Sequence, residues 1–185
     1  MSATYKFGWV PDEDRRYEYP DVFSLEKTSR LQRLVIAPSA NQVSLMLELL
    51  GVMPEPYGVL YVLVVPRSDV EAARYQAASF KSRTETEGFL SRFKDFFEND
   101  GRHHIWLASP PSPDMLVYDR HNVIYAYGRL PAFERIVVSR GLSKVEAVEF
   151  PSPHTHHYNE AFDREQEEVL RYWPWVRSPL RDNDC

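Results

Sequence analysis

An uninterrupted apolar run, YGVLYVLVV at residues 57–65, constrains the fold of this 185-residue chain more than any other feature. It is far shorter than the ~20 residues of a membrane-spanning helix. A strand that is apolar on both faces must pair along both edges and be covered on both sides. The run therefore predicts the central strand of a covered sheet.

The segments around this run predict a fold of alternating strands and helices. A strand at 31–37 and a helix from about residue 42, ended by Gly51, precede the run and form a β-α-β start. Residues 115–119 and 122–127 predict a central β-hairpin. We therefore predict an α/β (or α+β) fold, with a single mixed β-sheet of about six strands and helices on both faces.

Further elements complete this prediction. Residues 68–79 predict an Ala-rich helix, and five apolar side chains share one face of the next helix. That stripe consists of Phe89, Leu90, Phe93, Phe96 and Phe97. Strands are expected at 103–108 and 144–150, and helices at 131–140 and from Asn159 to about Trp173.

The length of the chain fits one domain. We predict a single globular domain over residues 1–185, with residues 1–29 as an extended arm packed on it. Residues 177–185 are predicted to form a polar tail.

Composition excludes several classes of partner. The net charge is −5 and no basic block is present, so nucleic acid is not expected as a partner. The first residues lack a basic segment followed by an apolar one, and no apolar run could cross a membrane. These features predict a cytoplasmic protein that has no membrane partner.

Familiar catalytic signatures are missing from the sequence. It contains no G-x-G-x-x-G, Walker, G-x-S-x-G or H-E-x-x-H motif. The single cysteine, Cys185, excludes an intrachain disulfide and a thiolate zinc cluster.

A histidine cluster is the clearest chemical feature. The segment PSPHTHHYNE at 151–160 contains His154, His156 and His157, with Glu160 close behind. His-x-His spacing on an extended segment places two rings on one side, as zinc or another divalent metal requires. The alternative is a solvated loop. If residues 144–150 form a strand, His121 lies roughly 20 Å from these histidines, and a metal would have to find its other ligands locally.

Asp119 and His121 form a second candidate pair. The carboxylate could orient a histidine that acts as a general base. The alternative is turn chemistry, because Asp side chains bond to nearby backbone.

Trp173 and Trp175 flank the proline that ends the predicted last helix. Exposed, they would mark an interface, in which Trp is enriched. We expect them to fold back onto the core, because an exposed Trp pair promotes aggregation.

Two functions follow from these features. The first is a soluble non-catalytic binding or interaction domain for an unknown ligand or protein partner, without a cofactor. The second is a small metal- or histidine-dependent enzyme with its site in the 103–160 region. An enzyme requires three or more polar side chains that meet in one place, and this convergence separates the two.

Overall fold

A computed structural model of the chain describes residues 4–10, 15–27 and 31–184. The strands are β1 (Phe7–Trp9), β2 (Arg15–Arg16), β3 (Val22–Lys27), β4 (Gln32–Ala37), β5 (Gly58–Leu63), β6 (Ala73–Ala77), β7 (His103–Ala108), β8 (Met115–Tyr118), β9 (Ile124–Tyr127), β10 (Ser143–Lys144), β11 (His154–His156) and β12 (Trp175–Ser178). The helices are α1 (Gln42–Gly51), α2 (Arg83–Arg92), α3 (Lys94–Asn99), α4 (Leu130–Ser139) and α5 (Asp163–Tyr172), with short 3-10 helices at Glu160–Phe162 and Asp182–Asp184.

The described strands form two sheets. The large mixed sheet has nine strands in the order β10-β3-β4-β9-β8-β7-β5-β6-β12, and the small sheet has the order β11-β1-β2. All neighbouring pairs are antiparallel except β10 with β3. The α/β prediction is confirmed, but the single sheet of about six strands is wrong. The sequence patterns missed β1, β2, β3, β6, β11 and β12, most of which are short or lie near a sheet edge.

Strand β6 replaces the helix predicted over residues 68–79. It pairs with β5 on one side and β12 on the other. Ala73, Tyr75 and Ala77 alternate onto the buried face of the sheet. Alanine favours a helix locally, but the preference is weak and tertiary pairing overrides it.

The apolar run at 57–65 forms an interior strand, β5, which pairs on both edges with β6 and β7. It is the third strand from one edge of the large sheet, so its prediction as the central strand is wrong. The β4-α1-β5 unit exists as predicted, and three other strands lie between its two strands. The predicted hairpin is confirmed as β8 and β9.

All five helices bury side chains in one apolar core on one face of the large sheet. This core contains the predicted phenylalanine stripe, now divided between α2 and α3, together with the inward side chains of β4, β5, β7, β8 and β9. Helices on both faces are therefore not found in the described part of the chain. The small sheet covers the opposite face, where Phe7 and Tyr19 pack with Val35, Ala37 and Val123.

The arm and the tail contribute more than was predicted. Val22–Lys27, inside the expected arm, is a strand of the large sheet that pairs with β4. Arg177 and Ser178, inside the expected polar tail, belong to β12. Asp184, also in this tail, forms an ion pair with Arg74 at 2.6 Å. Residues 1–3, 11–14 and 28–29 of the arm, and Cys185 of the tail, lie outside the described residues.

The two tryptophans fold back onto the helix-covered core, as expected. The Trp173 ring stacks on Phe89 with 4.6 Å between centroids. Trp175 donates a 3.0 Å hydrogen bond from Nε1 to the carbonyl of Val169. Across the described ranges, no helix has the length and apolar character needed to span a membrane.

Candidate metal centre

Three histidines from distant parts of the chain meet on the face of the large sheet that carries no helices. One ring nitrogen from each of His121, His154 and His156 lies within 4.8 Å of the other two. The ring centroids of His121 lie 5.4 Å from His154 and 4.8 Å from His156. The His154 and His156 rings are 5.3 Å apart, on the same side of β11, as the His-x-His spacing predicts.

The expected separation of about 20 Å between His121 and the histidine segment is therefore wrong. The predicted strand direction was right, because β10 runs parallel to β3 and hence to β9. However, β10 ends at Lys144. The chain then crosses the face of the large sheet that carries no helices, where Val148 packs. Phe150, at the end of this crossing, lies 5.6 Å from the His121 ring. The crossing returns the chain to the β8–β9 turn.

Asp119 orients His121. Its Oδ2 lies 2.8 Å from His121 Nδ1, and its Oδ1 accepts from the backbone N–H groups of His121 and Val123 at 2.9 and 3.1 Å. The carboxylate therefore builds the turn and also holds the ring, whereas the role of His121 as a general base stays a prediction. Because Nδ1 donates to the carboxylate, Nε2 of His121 keeps its lone pair for a metal.

Charges around Asp119 keep it ionised. Burial alone would raise its pKa, but the hydrogen bond from His121 and the positive charge of surrounding groups such as Lys6 hold that pKa below its usual value. Lys6 lies behind the turn, and its Nζ donates to the carbonyls of Asp119 and Phe97, both at 2.9 Å. Burial lowers the pKa of Lys6 to about 7, although nearby carboxylates oppose this shift.

The other two histidines are also in a form that can bind a metal. His154 Nδ1 lies 3.0 Å from the carbonyl of Pro151, which can only accept, so Nε2 keeps its lone pair. Both nitrogens of His156 are shielded from solvent and have no hydrogen-bond partner. Burial, followed by the charges of Arg120, His121 and His154, lowers the pKa of His156 to about 3. His156 is therefore a neutral imidazole near pH 7.

The N-terminal strand holds the histidine segment in place. β11 pairs with β1, and Phe7 of β1 contacts the rings of His121, His154 and His156 at 5.4–5.5 Å. Gly101 closes the other side by donating its N–H to the carbonyl of His157 at 2.8 Å. A Cβ on Gly101 would lie 3.3 Å from the Cβ of His156. Strand β11 can therefore lie this close to residue 101 because glycine has no side chain.

The remaining sequence candidates lie outside the cluster. His103 packs in the helix-covered core. Burial lowers the pKa of His104 to about 4, and the nearby charge of Asp119 opposes this shift. His157 Nε2 lies 3.2 Å from Thr155 Oγ1, and its ring packs on Tyr5. Glu160 is exposed in the 3-10 helix and does not belong to the cluster.

Some residues of the site carry no signal in the sequence. Phe7, Lys6 and Gly101 are typical of an ordinary strand or turn, and only long-range pairing brings them here. Arg120 could have been noticed only through its position between Asp119 and His121.

Three imidazoles form a ligand set that suits zinc and other divalent transition metals. A tetrahedral zinc holds nitrogen ligands about 3.4 Å apart, so the rings must move closer by side-chain rotation. The exposed His154 has room to turn. Structural zinc sites have four protein ligands, whereas catalytic sites have three and leave one position open.

A cavity of about 490 Å³ lies on the same side of the large sheet as the cluster. Its wall includes Tyr17, Tyr19 and Glu149, and both tyrosine rings contact Phe7. Phe7 also contacts the three histidine rings, but none of these histidines lines the cavity.

Comparisons with known proteins identify no relative. A scan against protein-family models, a search of the curated proteins and a search of the solved structures each found no match. Function must therefore be inferred from the geometry of the site.

Proposed function

We propose that this protein is a metal-dependent enzyme whose centre is a divalent transition metal, zinc in the first place, bound by His121, His154 and His156. The observation that carries the proposal is the convergence of three ring nitrogens within 4.8 Å. The orienting carboxylate of Asp119 supports it, because metal-binding histidines usually donate their other N–H to such a group.

The reaction class that fits this centre is hydrolysis. Three protein ligands leave a fourth position for water, and zinc lowers the pKa of bound water to about 7. A metal held by these histidines would supply an activated water for the hydrolysis of a carbonyl or phosphoryl group. The net charge of −5 and the lack of a basic block favour a small-molecule substrate over nucleic acid, and the cytoplasm stays the expected location.

Metal binding is the first test, and the segment supplies its own control. Untagged protein should bind one equivalent of Zn²⁺ in calorimetry, and His154→Ala should abolish tight binding. His157→Ala should bind zinc like the wild type, because the His157 ring lies outside the cluster. Equal losses in the two variants, or no zinc bound by the wild type, would contradict the proposal.

Turnover is the second test. The zinc-loaded protein should hydrolyse an activated ester or phosphodiester, such as p-nitrophenyl acetate or bis(p-nitrophenyl) phosphate. His154→Ala should lose this activity, and His157→Ala should keep it.

The second candidate is a non-catalytic binding domain in which the metal has a structural role. The positions of the three histidines favour this candidate. His154 and His156 lie on the small sheet, whereas His121 lies in the turn between β8 and β9 of the large sheet. A bound ion would cross-link the two sheets. Zinc that raises the melting temperature but supports no turnover on any substrate would favour this candidate.

A further inference from the structure

Arg120 lies in the chain between Asp119 and His121, and no residue that the structure describes supplies a counterion for its charge. Its side chain is half-buried and makes no hydrogen bond or ion pair with any residue that the structure describes. The Nε atom is shielded from solvent and has no acceptor. A shielded donor on a charged group costs free energy unless an acceptor is supplied.

The other half-buried or buried arginines of the described residues differ in this respect. Each forms an ion pair with a carboxylate at 2.6–3.7 Å. These pairs are Arg33 with Glu26, Arg74 with Asp184, Arg83 with Glu55, Arg102 with Asp100, and Arg129 with Asp114. Among the described residues, every partly buried arginine except Arg120 therefore has a carboxylate partner.

The adjacent carboxylate does not take this role. Asp119 directs Oδ1 to two backbone N–H groups and Oδ2 to the ring of His121. Lys6, bonded to the Asp119 carbonyl, adds further positive charge when protonated. Burial is the main cause of the low pKa of His156 and His104, and the charge of Arg120 adds to it in both rings. With a divalent metal on three neutral histidines, the site is positive although the chain as a whole is negative.

The geometry points to a substrate that carries an oxyanion group, a carboxylate or a phosphate, held between the metal and the guanidinium of Arg120. The planar fork of an arginine matches both groups through two parallel N–H donors. An oxyanion supplies the missing acceptor for Nε and neutralises a charge that no carboxylate in the described ranges neutralises. This inference rests on the proposed function, because the second anchor of the oxyanion is the metal.

The test uses the full chain loaded with Co²⁺, whose visible absorption changes when an anion replaces bound water. Inorganic phosphate and acetate are titrated separately into the wild type, Arg120→Gln and the control Arg135→Gln. Arg135 is also an arginine without an ion pair among the described residues, but it is exposed on α4. The dissociation constant of the preferred anion should rise roughly 10- to 100-fold in Arg120→Gln and stay unchanged in Arg135→Gln. Binding of Co²⁺ itself should not weaken in either variant.

The outcomes separate this inference from the proposed function. The anion that binds more tightly identifies the group as a phosphate or a carboxylate. If Co²⁺ binds but Arg120→Gln takes up both anions like the wild type, the inference is overturned and the metal centre stands. Equal weakening in Arg135→Gln would reveal a general charge effect and would also overturn it. If the wild type binds no Co²⁺ or Zn²⁺, the metal titration fails before any anion is added, and both proposals fall.

Discussion

His103 and His156 are both shielded imidazoles, and they lie on opposite sides of the large sheet. The ring of His103 packs against Phe96, Phe97 and Tyr61, with centroids 4.5, 5.2 and 5.5 Å away. Its nitrogens make no hydrogen bond of ordinary geometry, and only the backbone of Phe97 lies close enough to favour the charged form. Burial holds its pKa well below the usual value.

His156 shares the shielding and the low pKa but has different neighbours. Its ring lies 4.8 Å from His121 and 5.3 Å from His154, beside the unpaired charge of Arg120. An unpaired imidazole alone therefore does not indicate a site, because His103 serves as part of an apolar core. The neighbours that could share a ligand make the difference.

The largest expected effect comes from placing a charge at each position. His103→Asp should destabilise the protein by about 3–5 kcal/mol, because it buries a carboxylate among phenylalanine rings. His156→Asp should cost about 1 kcal/mol or less, because Arg120 lies nearby to pair with it. Urea unfolding of the metal-free proteins measures both. Equal losses would show that the two environments do not differ as described.

Metal affinity should separate the same two histidines in the opposite sense. His156→Leu removes a ligand and should weaken zinc binding by more than the roughly 10- to 100-fold that outer-shell changes cost. His103→Leu replaces one core side chain by another and should leave zinc affinity unchanged. Competition with a zinc indicator measures both constants. A large loss of affinity in His103→Leu would place the metal somewhere else.

A smaller effect is expected from the carboxylate that orients His121. In Asp119→Asn the amide can still accept from the turn backbone, but its NH₂ would favour a proton on Nε2 of His121, which then cannot bind a metal. Zinc affinity should fall roughly 10- to 100-fold. Asp114→Asn is the matched control, since Asp114 is also buried and bonds Arg129 far from the histidines. If both variants bind zinc equally well, Asp119 has no role beyond the turn.

The smallest expected effect tests the packing behind the histidine strand. The added methyl group of Gly101→Ala would lie 3.0 Å from the carbonyl of Lys6 and 3.2 Å from that of His157. We expect a loss of about 1 kcal/mol in stability and about fivefold in zinc affinity, because β11 must shift. Gly58→Ala, with no neighbour closer than 3.7 Å, should leave zinc affinity unchanged. Unaltered binding in Gly101→Ala would mean that the position of His156 does not depend on this contact.

Local patterns predicted much of the fold but only half of the site. The apolar run at 57–65, the hairpin at 115–127 and the phenylalanine stripe are visible because periodicity shows which side chains must be buried. Asp119 with His121, and His154 with His156, were recognised as pairs, since each lies within three residues. Their convergence was not predicted, because it depends on where β10 stops.

The sequence by itself determined which side of each element a residue presents, so that His154 and His156 share one side and the stripe from Phe89 to Phe97 is buried. The tertiary structure alone decided which of these sides meet. Residues 68–79 became a strand because β5 and β12 offered hydrogen-bond partners on both sides. Residues after Lys144 left the sheet and crossed its outer face towards His121. The direction of a side chain follows from the periodicity of the helix or strand that carries it. Contact between two segments depends on long-range strand pairing, which no local pattern encodes.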